Sequence, residues 1–129
     1  MNRVRLAAVI GLLVVFAVVG GTIILANQHH GSRNLTFNVM VTGGKSMSVA
    51  PCYPATCTSD TLSANQNDNL TINITSDMDG EVHLHVYDIA FDTKAGQTIS
   101  HTFKADKTCD CIIEWESTST SLGALLVNP

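Results

Sequence analysis

Short runs in which apolar and polar residues alternate recur from about residue 35 to the end of the chain. A period of two is typical of β-strands that bury one face, whereas helices have a longer period. Turn signals such as Gly43-Gly44 and residues 77–80 separate the runs. The apolar positions are Leu35, Phe37, Val39 and Val41, then Leu70, Ile72 and Ile74, then Val82, Leu84 and Val86, then Ile99 and Phe103, and finally parts of 109–115 and 122–127. About seven such strands predict an all-β fold, and specifically a β-sandwich.

The run at residues 81–88, which reads Glu-Val-His-Leu-His-Val-Tyr-Asp, contains the most informative chemistry. Its alternation predicts that Val86 faces the core and that His83, His85 and Tyr87 share the opposite face. Two residues at i and i+2 of a strand have Cα atoms roughly 6–7 Å apart. Both imidazoles could therefore turn onto one metal ion.

The first quarter of the chain has a different character, because residues 6–26 contain no charged residue. An uncharged apolar span of about 18 residues or more predicts a membrane helix. Arg3 and Arg5 precede it, which favours a cytoplasmic N-terminus and an exported remainder. We therefore expect residues 1–30 to form a membrane anchor with a tether, and residues 31–129 to form an extracytoplasmic domain. The alternative is a cleavable signal peptide, cut after Ala26.

Charge is distributed unevenly along the chain, whose formal net charge is −4 at pH 7. All eleven acidic residues follow Arg33, and the only basic residues after it are four lysines. An acidic domain of this kind repels phosphate backbones, so the sequence argues against nucleic acid as a partner.

The four cysteines form two close pairs, Cys52 with Cys57 and Cys109 with Cys111. An even number of cysteines in an exported domain favours disulfides, although the sequence does not fix their connectivity. A Cys52–Cys57 bridge would close a short loop. Residues i and i+2 of an extended strand lie near the upper limit of disulfide Cα separation, so a Cys109–Cys111 bridge would be unusual and bridges between the pairs are plausible. The alternative is a site of four thiolates that binds Zn²⁺ or Cu(I).

The order of these segments resembles that of the cupredoxin family, from about residue 35 to the end of the chain. Asn67-Asp68 precedes a strand where cupredoxins usually have Gly-Asp. Residues 81–88 resemble the E-x-H-x-H-G-Y-D strand of small membrane-anchored cupredoxin-like proteins, with Val86 in place of the glycine. The resemblance implies a Greek-key β-sandwich.

The chain departs from this family at the loop before the last strand. In copper-binding members that loop supplies a Cys, a His and a Met, and the corresponding positions here are Trp115, Thr118 and Ser121. None of these three side chains is the expected ligand, and a blue-copper centre needs a thiolate. The resemblance therefore implies no blue-copper electron transfer.

The resemblance also implies that His83 and His85 lie near Glu116, which stands at a His position of the nearer relatives, and near Glu114. Two imidazoles and carboxylates suit a copper ion, with zinc as the alternative. We therefore predict an exported, membrane-anchored domain that binds a divalent metal for metal handling. The alternative is a metal-free sandwich that serves as an envelope interaction or structural module. No motif in the sequence indicates an enzyme.

One further histidine, His101, alternates with Ile99 and Phe103. Because it shares a periodicity with apolar residues, we interpret it as a packed or edge histidine and not as a ligand.

Overall fold

In the part of the chain that the structure describes, ten strands form two sheets. The computed structural model describes residues 31–50 and 56–129. The strands are β1 (Asn34–Thr42), β2 (Ser46–Val49), β3 (Thr56–Cys57), β4 (Thr61–Asn65), β5 (Asn69–Ser76), β6 (Gly80–Leu84), β7 (Ile89–Thr93), β8 (Thr98–Lys104), β9 (Cys109–Trp115) and β10 (Thr120–Asn128). One sheet has the order β2-β1-β5-β8, and the other has the order β3-β4-β10-β9-β6-β7.

Both sheets turn one face inward onto a common apolar core, as the alternation predicts. Leu35 and Phe37 of β1 and Ile72 of β5 are fully buried in the first sheet, and Val82 and Leu84 of β6 are fully buried in the second. The prediction of an all-β sandwich is confirmed. The strands that the alternation did not indicate are short ones, such as β4 and β7, although each buries a large apolar side chain, Leu62 and Phe91 respectively.

The chain crosses between the sheets, so that strands distant in sequence become neighbours. β1 pairs with β5 in parallel, and β4 pairs in the same way with β10. In the described ranges the helical structure is a single 3-10 turn, Glu116–Thr118, between β9 and β10. These ranges contain no helix long and apolar enough to cross a membrane. The anchor predicted at residues 6–26 lies outside the described residues.

The histidine strand is shorter than predicted. β6 ends at Leu84, residues 85–88 form a turn, and β7 begins at Ile89. Val86 and Asp88 have φ angles of 72° and 53°, which are left-handed and incompatible with a continuing strand. Val86 is 54% exposed, so the prediction that it faces the core is wrong. Hydropathy alternates through this turn just as it does through a strand, which is why the pattern misled.

A disulfide joins Cys109 to Cys111, and their Cα atoms lie 5.3 Å apart. The expectation that this bridge would be unusual is therefore wrong, and the bridges between the two pairs that the spacing left plausible do not form. A twisted strand rises less per residue than a flat one, which brings an i, i+2 pair within the usual disulfide range. As a disulfide these two cysteines are not thiolate ligands, which also contradicts the four-thiolate alternative. The Cys52–Cys57 pair falls outside the described side chains.

Candidate metal centre

The candidate site lies on the outer face of the six-stranded sheet. β6 and β9 are antiparallel neighbours, and their register places His83 directly opposite Glu114. His85 follows the end of β6, and its backbone N–H donates to the carbonyl oxygen of Ile112 at 3.0 Å. This bond keeps His85 beside β9, so both histidines lie against the same strand.

The structure brings all four predicted site residues together. The ring centroids of His83 and His85 are 4.6 Å apart. Glu114 Oε2 lies 3.4 Å from His85 Nε2, and Glu116 Oε2 lies 3.7 Å from His83 Nδ1. Glu116 is not part of β9 but opens the 3-10 turn that follows it. The two histidines are therefore each accompanied by one glutamate.

A fifth residue, Asp88, belongs to the same cluster and was not among the predicted ligands. Its Oδ1 lies 2.8 Å from His83 Nε2, and its side chain is otherwise almost fully exposed. The turn at residues 85–88 carries this carboxylate back over β6. The signal that could have revealed it was Val86 at a family glycine position, because a glycine there suggests a turn and hence a returning chain.

Tyr87 fixes the position of that turn. Its hydroxyl donates to the carbonyl oxygen of Lys107 at 2.6 Å and lies 3.1 Å from the Lys107 backbone nitrogen, whose N–H donates to it. The ring packs against Phe103, with centroids 5.0 Å apart. Burial raises the pKa of the Tyr87 hydroxyl. The prediction that Tyr87 shares the face of the histidines is therefore wrong. Tyr87 instead ties the turn that holds Asp88 to the loop before β9.

One nitrogen of the cluster is left without a hydrogen bond. His85 Nε2 is buried and has no hydrogen-bond partner among the described residues, since Glu114 Oε2 lies nearby but not in bonding geometry. A buried polar atom without a partner costs about 1–3 kcal/mol, and such atoms are rare in folded proteins. As the side chains stand, the described ranges contain no group of three or more His, Cys, Asp or Glu residues arranged to hold a metal ion.

The surroundings of the cluster are acidic. Glu81 of β6 lies directly opposite Asp92 of β7, and both point to the same outer face. Like charges directly opposite each other on neighbouring strands destabilise a sheet. The Glu81–Asp92 pair therefore adds to the negative charge of this face at a cost in stability.

The loop positions that correspond to the family's copper ligands have other roles here. Trp115 is 3% exposed, and its indole packs so closely on Gly44 and Gly80 that a Cβ on either glycine would overlap it. The Thr118 hydroxyl bonds to that of Thr120 at 2.7 Å, and Ser121 is exposed. Trp115 is thus part of the core.

His101 lies away from this cluster, on β8 of the other sheet. Its ring stands edge-on against Phe91, with centroids 4.8 Å apart. The interpretation of His101 as a packed histidine is confirmed.

The sequence matches no protein-family model, and no curated protein matches it. Among solved structures, an apo copper binding protein determined by NMR has a TM-score of 0.54 and 9% identity, over 77% of this chain and 92% of that chain. The multicopper oxidase mgLAC and the blue copper oxidase from Nitrosomonas europaea each have a TM-score of 0.44, at 14% and 16% identity. Each match covers 77% of this chain but only 39% of the oxidase, so the chain spans well under half of their length. The first likeness shows the fold, and the chain has the predicted cupredoxin-like β-sandwich.

Proposed function

We propose that this domain binds a divalent copper ion through His83 and His85, with carboxylate oxygen from Glu114 and Glu116. The observation that supports this most directly is the buried Nε2 of His85, which has no hydrogen-bond partner among the described residues and lies beside a second imidazole and two carboxylates. A metal ion would give this nitrogen a partner. The acidic residues around the site would also neutralise the charge of the ion.

The donor set fits copper chemically. Imidazole nitrogen suits Cu(II), and carboxylate oxygen supplies charge and further coordination. The same donors also suit Zn²⁺, which binds imidazole at about 2.0–2.1 Å. His83 Nε2 is occupied by Asp88, so Asp88 must release this nitrogen or His83 must bind through Nδ1. The set contains no thiolate and therefore does not supply the ligands of a blue-copper centre.

The role we propose is metal handling outside the cytoplasm, by a chain anchored through residues 6–26. Support for the anchor comes from the uncharged apolar sequence and from the arginines before it. The cluster lies on an outer sheet face, with the Glu116 side chain 51% exposed, so a donor or acceptor protein could approach the ion from the side of this carboxylate. We propose a binding protein and not an enzyme.

The test is copper retention by the full-length chain in detergent. His29 and His30 are replaced by alanine in every sample, because they offer imidazoles of their own. We expect about one Cu(II) per chain after loading and dialysis, with nitrogen hyperfine splitting in the electron paramagnetic resonance spectrum. The double substitution His83→Ala/His85→Ala should abolish both, and a parallel zinc loading tests the choice of metal.

The matched control is His101→Ala, which removes an imidazole that packs against Phe91 on the other sheet. It should leave copper retention unchanged. A parent chain that retains no copper would contradict the proposal and would support the metal-free sandwich, which is also favoured by the mutual pairing of His83 with Asp88. An intense blue colour would show that a thiolate is a ligand and would also contradict it.

A further inference from the structure

The outer face of the four-stranded sheet has a composition unlike the rest of the domain. Alternate side chains of β1, β2, β5 and β8 point outward from it. They are Asn34, Thr36, Asn38, Met40, Thr42, Ser46, Ser48, Asn69, Thr71, Asn73, Thr75, Thr98, Ser100, Thr102 and Lys104. These strands present no acidic side chain, and their one cation lies at the end of β8. An otherwise acidic domain therefore has one face of amides and hydroxyls.

Cross-strand hydrogen bonds hold these side chains in place. Asn73 Nδ2 donates to Asn38 Oδ1 at 2.9 Å. The hydroxyls of Thr75 and Thr98 are bonded at 2.6 Å, and a similar pair joins the next threonines along the strands. An amide has two donor hydrogens and an acceptor oxygen, and a hydroxyl both donates and accepts, so each group keeps capacity for a ligand. Side chains already fixed in this way lose little conformational entropy on binding.

A groove of about 350 Å³ runs across the same face. Its lining combines the Asn38–Asn73 pair, the Thr75–Thr98 pair and Ser48 with the apolar residues Val39, Met40, Val49 and Ala50. This volume lies within the range of small-ligand sites, roughly 300–1,000 Å³. Met40 is 45% exposed and adds an apolar, adaptable surface among the polar groups.

We propose that this groove is a binding site for a neutral polysaccharide. Sugar hydroxyls both donate and accept hydrogen bonds, as the amides and hydroxyls of the groove do. Phosphates, carboxylates and ammonium groups would find no counter-charge among the groove residues. Met40 offers a contact for the C–H face of a sugar ring. The site is on the opposite sheet from the copper cluster and does not depend on the copper proposal.

Affinity electrophoresis of the full-length chain in detergent tests this directly. Native gels contain dextran, glucomannan or arabinoxylan, and a gel with anionic alginate serves as the charged comparison. We expect at least one neutral polysaccharide to retard the chain, and alginate not to. Ser48→Asp places a charge in the groove and should weaken binding about tenfold or more, because the carboxylate must be desolvated without a partner.

The matched control is Ser63→Asp, which adds the same charge to the outer face of β4 in the other sheet. It should leave retardation unchanged, and Ser48→Ala should retain most of it because it adds no charge. Failure of all three neutral polysaccharides to retard the chain would overturn the proposal, as would equal effects of the two aspartates. So would sedimentation showing that the chain self-associates through this face and that Ser48→Asp separates the copies.

Discussion

Two clusters of polar groups, one around Asp68 and one around His83 and His85, differ in how completely their carboxylate oxygens are used. Asp68, before β5, is 1% exposed and accepts hydrogen bonds from the backbone N–H groups of Arg33 and Asn65, each at 2.9 Å. The Arg33 guanidinium also donates to Asp68 Oδ2 at 2.7 Å. In the histidine cluster, by contrast, the Glu116 side chain is about half exposed and lies 3.7 Å from its histidine.

This difference separates a structural carboxylate, whose oxygens are all hydrogen-bonded, from carboxylates that can still accept a hydrogen bond or a cation. Asp68 joins the start of β1 to the turn before β5, and both of its oxygens are engaged. Glu114 and Glu116 keep acceptor capacity, and His85 Nε2 beside them has no bond among the described residues. The first cluster is saturated and has no room for a ligand. The second is left incomplete in a way that a cation would complete.

The sharpest way to test the comparison is to remove a carboxylate from each cluster. Asp68→Ala leaves two backbone N–H groups and a guanidinium without their acceptor. We expect the free energy of unfolding to fall by about 3 kcal/mol, at the low end for a broken buried pair because Arg33 is partly exposed. Urea denaturation followed by circular dichroism measures the change.

The matched substitution in the other cluster is Asp88→Asn, which removes the carboxylate but keeps a residue that tolerates the left-handed φ of 53° at this position. The Asp88 side chain is 92% exposed, so we expect the urea midpoint to stay close to that of the parent chain. Equal destabilisation by the two substitutions would contradict the distinction between a structural and a binding cluster.

The Asp68 carboxylate should contribute to the pH dependence of stability. Burial raises the pKa of the Asp68 carboxyl, but hydrogen bonds from the Arg33 side chain and from backbone N–H groups outweigh burial, so the pKa lies below its usual range. A lowered folded-state pKa stabilises the fold above the unfolded value, about 4, and this contribution is lost as the pH falls through the folded value. The stability difference between the parent and Asp68→Asn should therefore be constant from about pH 5 to 7 and shrink below about pH 4. Urea titrations at each pH measure it, and a difference that grew in acid would contradict the assignment.

The alternation predicted the sandwich, and the family resemblance predicted that His83 and His85 lie near Glu114 and Glu116, which the structure places beside them. Alternation placed His83 on the outer face of its strand, and the pairing of β6 with β9 brings Glu114 opposite it. The turn at residues 85–88 does not follow from alternation, since Val86 continues the apolar pattern while adopting a left-handed φ. Asp88 was missed because only that turn returns it to His83. The Cys109–Cys111 bridge depends on local strand shape, which residue spacing does not encode.

Two of the left-handed positions, one beside each cluster, extend the comparison to the backbone. Asn67, beside Asp68, and Val86, in the histidine turn, both have φ near 72° and both occupy family glycine positions. Asparagine tolerates this conformation, whereas a β-branched residue is an outlier there. Val86→Gly should raise stability by about 1 kcal/mol, or roughly 4–8 °C in Tm for a domain of this size.

Asn67→Gly is the matched change at the saturated cluster, and it should alter Tm by much less because asparagine is little strained there. Thermal unfolding of both variants measures the difference. A lower Tm for Val86→Gly would show that the turn around the site is not strained.

The smallest effect we expect comes from the charge of the histidine face. Glu81→Lys converts the like-charge pair with Asp92 into an opposite-charge pair, which should raise stability by about 0.2–1 kcal/mol. Asp110→Lys reverses an acidic charge on β9 that lies opposite the uncharged Leu126, so it should bring no such gain. Urea denaturation compares the two variants, and equal effects would show that the Glu81–Asp92 pair is not the source of the gain in stability.

In copper titrations, Glu81→Lys should weaken copper binding severalfold, because the new cation repels the ion. A gain in stability together with a loss in copper affinity is the result expected if this face remains acidic for binding and not for folding.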